Sequence, residues 1–206
     1  VGSEMCIRDR FHISPNVKER EYLTEDELKA VMTHEFADSK LAYIRDIFIF
    51  ASFTALSFVD IQELTNDNIV EVNGEKWILS KRHKTKVAFQ VKLLDIPLQI
   101  VERYRPMQKD NRIFPGLNYW SICKPLKRMI RECGITKSIS FHCSRHGFAT
   151  LALSKGMPIE SVSRVLGHTN IVTTQLYAKI TTQKLDNDLT MFGDKLSKTF
   201  NGITMS

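Results

Sequence analysis

Between residues 69 and 93 the apolar spacing changes from helical to alternating, and this change restricts the fold more than any other feature. Asn73-Gly74 separates the runs IVEV and EKWILS. This dipeptide favours a two-residue hairpin turn, because both residues adopt positive φ at low cost. VAFQVKL supplies a third alternating run. The segment therefore predicts a three-stranded antiparallel sheet in which the basic turn RHKTK joins the second and third strands.

Helical periodicity surrounds this sheet. In TEDE, Thr24 is placed to cap a helix while Glu27 bonds back to it, and that helix is expected to run to about residue 35. Gly167 is expected to end a later helix, and Thr169 to cap the one after it. The fold class is therefore α+β and mainly α-helical. Further helices are predicted over 40–52, 58–64, 98–104, 119–133, 141–154, 160–166 and 170–180.

A chain of 206 residues with 43% apolar content suits one main domain. Residues 1–20 lack periodicity and are expected to be a remnant and linker, 21–180 the domain, and 181–206 a helical tail. Every third or fourth residue of the tail is apolar, so this domain or a partner should cover that stripe. The stripe, called the tail stripe below, comprises Leu185, Leu189, Phe192, Leu196 and Phe200.

Composition excludes several classes of protein. There is no run of eighteen apolar residues and no signal pattern, which predicts a cytoplasmic protein without membrane association. The four cysteines match no zinc spacing and no dense disulfide framework, so free thiols and no metal are expected.

Positive charge is unevenly distributed. The net charge is +6, and residues 76–94 hold six lysines and arginines without one acidic residue. The helix at 119–133 places Lys124, Lys127, Arg128 and Arg131 on one face. Two basic elements favour a polyanionic partner, although a merely solvated basic surface is the alternative.

The segment HCSRHGFAT places His142 and Arg145 three residues apart, on one face of a helix. A guanidinium and an imidazole aimed at one point suit a phosphate group. For an isolated pair, a structural histidine beside a surface arginine would be the better interpretation.

Further motifs accompany this pair: LGH ending at His168, then Tyr177, Lys84-Thr85 in the basic turn, and FTALSFVDIQELT at 53–65. Taken with His142, Arg145 and His146, they resemble the catalytic domain of tyrosine recombinases, the phage-integrase family, over residues 21–177. The resemblance implies an integrase-like, DNA breaking-rejoining fold.

The resemblance also implies a mechanism in which Tyr177 attacks a DNA phosphodiester to form a 3′-phosphotyrosyl link, without cofactor or metal. Arg145 and His168 would hold the non-bridging oxygens, His142 would assist proton transfer with His146 in support, and Lys84 would protonate the leaving 5′ oxygen. The residues expected to contact DNA are Lys81, Arg82, Lys86, Lys124, Lys127, Arg128 and Arg131.

One position departs from the family pattern, which has an arginine where this sequence has Ser57. Losing one transition-state donor costs roughly 2.7–4 kcal/mol. Arg82 is our candidate for the substitute cation. Asp60, three residues after Ser57, matches an acidic position that organises the family's active site, and a helix-surface aspartate is the alternative.

Two alternatives to an active recombinase stay open: a catalytically degenerate DNA-binding module of the same fold, and a related type IB topoisomerase. For the recombinase, the resemblance implies double-stranded DNA as partner and a homotetramer joined through the tail. It also implies an N-terminal domain, absent from this sequence, that completes a clamp around DNA.

Overall fold

The structure is a computed structural model that describes residues 21–83, 86–108, 110–178 and 182–199. It confirms a mainly helical fold with one small sheet. The helices are α1 Glu25–Thr33, α2 Ser39–Thr54, α3 Phe58–Gln62, α4 Asp95–Tyr104, α5 Tyr119–Glu132, α6 His142–Ser154, α7 Ile159–Leu166, α8 Val172–Gln175 and α9 Thr182–Thr199. The strands are β1 Ile69–Val72, β2 Glu75–Lys81 and β3 Ala88–Lys92, and short 3₁₀ turns span Asn66–Asn68 and Arg105–Met107.

The sheet is antiparallel with the order β1-β2-β3, as the alternating pattern predicted. Asn73 and Gly74 have φ values of 52° and 77°, the conformation that a tight hairpin needs. Ile78 of β2 pairs with Val91 of β3, and both are buried. The sheet therefore fixes where β2 ends and where the basic turn begins.

Helix α2 runs through the centre of the core and packs against α4, α5 and α6. Ile47, Phe48 and Phe50 lie on it with no more than 1% of their surface exposed. The Phe50 ring meets the Phe114 ring edge-on at 4.9 Å between centroids. The helix ends at Ala55, whose φ of 56° is left-handed. The Ala55 carbonyl at this end accepts a hydrogen bond from Arg145.

A second, smaller apolar cluster joins α6, α7 and the segment that follows α7. Ala149, Leu153, Val162 and Leu166 form its centre, and Tyr177 packs against it. Helix α7 stops at Gly167, whose φ of 63° confirms the predicted helix end.

The helix predicted over residues 170–180 is wrong in extent. Of residues 170–178, only Val172–Gln175 is helical. Tyr177 lies in the turn that follows, and its amide donates to the carbonyl of Thr174 at 3.0 Å. Asn170, not Thr169, accepts from the Val172 amide, at 2.9 Å. Leu176 is 67% exposed, so a longer helix would gain little packing on that side.

Some predictions fall on residues outside the described ranges, among them the remnant and linker at 1–20, Cys6, Lys84, Thr85 and Phe200. The other three cysteines, Cys123, Cys133 and Cys143, are free thiols. Within the described ranges, no helix has both the length and the apolar character that crossing a bilayer requires.

Candidate active site

Arg145 is held by backbone carbonyls at the ends of two helices. It lies in the first turn of α6 and donates to the Ala55 carbonyl at 2.9 Å and to the Leu166 carbonyl. Carbonyls at helix C-termini carry partial negative charge, which favours a cation there. Burial, with a smaller effect of Arg82, lowers the pKa of Arg145 to about 10, so it remains charged at neutral pH.

Arg82 reaches the same place from the end of β2. Its Nη1 donates to Asp60 Oδ2 at 2.7 Å, and its Nη2 donates to the carbonyl of Val165, the residue before Leu166. The guanidinium also lies over the Phe89 ring at 4.1 Å. Only 5% of Arg82 is exposed, so it differs from its exposed neighbours Lys81 and Lys86 and is no surface cation.

Asp60 connects Arg82 to Ser57. Ser57 caps α3 and donates its hydroxyl to Asp60 Oδ2 at 2.7 Å, while the His83 amide donates to Oδ1 at 3.0 Å. Burial by itself would raise the pKa of Asp60, but the hydrogen bonds from His83, Ser57 and Arg82 lower it overall. Because Asp60 is only 8% exposed, the alternative of a helix-surface aspartate is wrong.

A cleft of about 250 Å³ opens beside Ser57. Its lining includes His142, Arg145, Phe58 and Tyr119. The small serine side chain therefore leaves open space next to a phosphate-binding candidate, at the position where the family pattern has an arginine.

Two histidine rings and the tyrosine ring lie in a row. His142 and His146 meet edge-on with centroids 4.4 Å apart, and His146 lies 5.2 Å from the ring of Tyr177. His142 is exposed, His146 is buried at 4% exposure, and Tyr177 is partly buried. The histidines and the tyrosine of the sequence motifs therefore come together, and His146 packs directly against the candidate nucleophile.

His168 completes the group. Its Nδ1 lies 2.9 Å from the Oγ1 of Thr174, which is fully buried. Burial, then Arg145, Arg82 and His142, lower the pKa of His168 to about 4, so its imidazole is neutral at pH 7. Sequence reasoning missed Thr174, because a threonine between other polar residues carries no signal of burial.

The predicted DNA-contacting residues other than Arg82 lie at the surface. Lys124, Lys127, Arg128 and Arg131 are exposed on α5, whose opposite face is buried as predicted. Arg128 forms ion pairs with two carboxylates: its Nε lies 2.8 Å from Glu132 Oε1 and its Nη1 lies 3.3 Å from Asp38 Oδ2. No set of three or more His, Cys, Asp or Glu side chains in the described ranges is arranged to hold a metal ion.

The chain is similar to known proteins over most of its length. The model of the phage integrase family matches residues 21–184. Tyrosine recombinase XerA of Pyrococcus horikoshii is 32% identical over 177 residues, which are 79% of this chain and 58% of XerA. The chain thus spans little more than half of that relative's length.

Solved structures share the fold. A XerA recombinase crystal structure aligns with a TM-score of 0.67 and 19% identity over 87% of this chain and 66% of that one. The Tn1549 transposon integrase, in complex with a circular intermediate DNA, aligns with a TM-score of 0.72 and 16% identity over 87% and 68%. With a family model that matches most of its length, this chain belongs to the phage integrase family.

Proposed function

We propose that this chain is the catalytic domain of a site-specific DNA recombinase that cuts and rejoins DNA through Tyr177. The observation that carries the proposal is the convergence of Tyr177, His146, His142, Arg145 and His168 on one small region. These residues come from α6 and from the segment after α7. The same fold could be built with other side chains at these positions.

In the proposed reaction the Tyr177 oxygen bonds to the phosphorus, and the bond from phosphorus to the 5′ oxygen breaks. The phenolic proton leaves toward His142, and the 5′ oxygen takes a proton from Lys84, whose role is assigned by resemblance because it lies outside the described residues. A free tyrosine has a pKa of about 10, so roughly one in a thousand is ionised at pH 7. Cations near Tyr177 favour the phenolate, which is the attacking form.

Charge that develops on the phosphorane needs donors that are already in place. Arg145 and His168 are two such donors, and we propose Arg82 as the third, in place of the arginine that Ser57 lacks. Arg82 and Arg145 share the C-terminal end of α7 through consecutive carbonyls. Each Nη of Arg82 carries two N–H groups and uses one of them, on Asp60 or on Val165, whereas the Nε is buried beside Gly167. The second N–H groups of Nη1 and Nη2 are therefore the donors that we propose for the phosphate.

The energetic cost of this arrangement favours an enzyme over a degenerate DNA-binding module. Two guanidiniums held side by side and mostly out of water repel each other and lose solvation. A module that binds DNA through surface lysines gains nothing from that cost. In an enzyme, two cations stabilise the transition state more than the bound substrate, because the trigonal bipyramidal phosphorane carries more negative charge than the phosphodiester.

The test is capture of a covalent protein–DNA adduct. Because the target sequence is unknown, the protein is incubated with nicked duplexes of randomised sequence, and adducts that survive denaturing detergent are recovered and sequenced. We expect adducts with the natural chain and none with Tyr177→Phe. DNA retention by both proteins, without any adduct, would support the binding module and contradict the enzyme. Relaxation of supercoiled DNA by the monomer would instead favour a topoisomerase.

The substitute-cation proposal has its own test on the recovered site. Arg82→Ala is expected to slow adduct formation by about a hundred- to a thousandfold. Ser57→Arg combined with Arg82→Ala should restore part of that rate, because the cation returns to the family position. Lys155→Ala removes a remote surface cation and serves as the control. An Arg82→Ala protein that is folded and cleaves at the natural rate would refute this role.

We further propose that double-stranded DNA in the cytoplasm is the substrate and that four protomers assemble on it through the tail. The described members of the tail stripe, Leu185, Leu189, Phe192 and Leu196, are 40–59% exposed. The described part of the chain therefore does not cover them in cis. Since an apolar helix face of this kind is stable only when covered, a second copy of the chain is the proposed partner.

A further inference from the structure

Thr174 joins the two motifs that meet at this site. Its hydroxyl lies 2.9 Å from Nδ1 of His168, and its carbonyl accepts from the amide of Tyr177 at 3.0 Å. Its own amide donates to the Ile171 carbonyl at 2.8 Å, which fixes its backbone. One fully buried residue thus contacts both a phosphate-binding candidate and the candidate nucleophile.

The chemistry at His168 depends on which ring nitrogen carries the hydrogen. A neutral imidazole donates through one nitrogen and accepts through the other. Phosphate oxygens only accept, so a histidine that contacts them through Nε2 must carry its hydrogen there. Its Nδ1 is then an acceptor and needs a donor.

The hydrogen bonds of Thr174 also favour an Nδ1 that accepts, and this argument does not depend on DNA. Thr174 Oγ1 makes no other hydrogen bond in the part of the chain that the structure describes. If Nδ1 carried the hydrogen, the threonine hydroxyl would accept it, and the hydroxyl's own hydrogen would be buried without an acceptor. A buried donor without an acceptor destabilises the folded state. When the hydroxyl donates to Nδ1, both groups are satisfied.

We infer that Thr174 is a positioning residue whose hydroxyl donates to Nδ1 of His168 and holds the imidazole in the tautomer that donates from Nε2. The partner of the second nitrogen sets the tautomer in histidines that act on ligands. The structural part of this inference rests on geometry, and its consequence for catalysis rests on the proposed function.

The test compares three variants. Thr174→Val keeps nearly the same shape and both backbone hydrogen bonds but removes the hydroxyl. Thr174→Ser keeps the hydroxyl and removes the methyl group. Thr173→Val makes the same chemical change at the neighbouring, exposed threonine and is the matched control.

The direct measurement is the tautomer of His168, read from long-range proton–nitrogen NMR spectra of protein labelled in its histidines. The His168→Gln spectrum identifies the signals. We expect the hydrogen on Nε2 in the natural chain, in Thr174→Ser and in Thr173→Val, and a mixture of tautomers or a shift to Nδ1–H in Thr174→Val. A hydrogen on Nδ1 in the natural chain, or an unchanged tautomer in folded Thr174→Val, would overturn the inference.

The second measurement is the rate of adduct formation at saturating DNA. We expect Thr174→Val to slow it by about ten- to a hundredfold, by analogy with the loss caused by removing the hydrogen-bond partner of a metal-binding histidine, with DNA affinity nearly unchanged. Thr174→Ser should recover most of the rate. If the natural chain forms no adduct yet shows the expected tautomers, the proposed function fails while the positioning of His168 by Thr174 holds.

Discussion

Arg82 and Arg145 donate to neighbouring carbonyl oxygens, those of Val165 and Leu166, at the C-terminal end of one short helix. The two cations come from segments far apart in sequence, the end of β2 and the start of α6. Asp60 balances the charge on Arg82 through a 2.7 Å ion pair. The helix end and the carboxylate together allow two guanidiniums to stay charged in one mostly buried place.

A side chain at position 167 should lower both stability and the cleavage rate, because Arg82 packs against Gly167. A Cβ at this position would lie 2.9 Å from Nε and 3.0 Å from Cγ of Arg82, and its φ is 63°. Gly167→Ala is therefore expected to cost about 1–2 kcal/mol for the left-handed backbone, and to displace Arg82 in addition. Cleavage should fall toward the rate of Arg82→Ala. Urea unfolding measures the loss of stability, and the rate of adduct formation measures the loss of cleavage.

Gly134 provides the matched control for that substitution. Its φ is 74°, but a Cβ there meets no atom within 4 Å. Gly134→Ala should lose a similar free energy of unfolding and cleave normally. Equal effects of both substitutions on cleavage would show that Arg82 does not need the space above Gly167.

Asp60 should make stability depend on pH. Hydrogen bonds hold its pKa below the usual value in the folded state, so its contribution is present above the unfolded pKa of about 3.9 and is lost as the pH falls through the folded pKa. Asp60→Asn leaves the charge of Arg82 unbalanced and should cost about 3–5 kcal/mol at pH 7.

Urea unfolding from pH 7 to pH 3 tests this. The difference between the natural chain and Asp60→Asn should shrink toward the acid end. A difference that stays constant across the range would mean that the Asp60 charge does not stabilise the fold.

His168 should destabilise the fold in mild acid. Its pKa is about 4 in the folded chain, against 6.5 for a free histidine. As the pH falls from about 6.5 to about 4, the unfolded chain takes up a proton that the folded chain does not, so this contribution to stability declines in that window. Above pH 6.5 it is constant.

NMR titration of the His168 ring measures this pKa directly, with His168→Gln to identify the signal. In urea unfolding of the same two proteins, the difference between their free energies of unfolding should change between pH 6.5 and pH 4 and stay constant above pH 6.5. A titration midpoint near 6.5 would contradict the buried, cation-surrounded position of this ring.

The tail stripe should control assembly on DNA. Leu189→Glu combined with Phe192→Glu places charges on a face that the described residues leave exposed, so the free energy of unfolding of the free protein should change little. Assembly on two DNA sites should be lost. Sedimentation of the protein with and without its recovered site measures this, with Asp194→Lys, a charge change elsewhere on α9, as the control. Full assembly and strand exchange by the double variant would argue against docking in trans.

Local patterns were enough to predict much of this protein from its sequence. The Asn73-Gly74 turn, the Thr24 cap and the end of α7 at Gly167 depend on the conformations of a few adjacent residues, and all three are confirmed. The extent of the helix before Tyr177 was predicted wrongly, because periodicity does not report whether a helix face finds a partner.

The sequence by itself determined the fold class, since helical and strand periods and capping are properties of neighbouring residues. It also supplied the residue types for the proposed chemistry at Tyr177. Only the tertiary structure decided that Arg82 is buried beside Arg145 and that the Thr174 hydroxyl lies within hydrogen-bond distance of His168. The contacts of the two arginines join residues 83 and 90 positions apart. Such contacts depend on how α2, α6, α7 and the sheet pack together, and no local period encodes that packing.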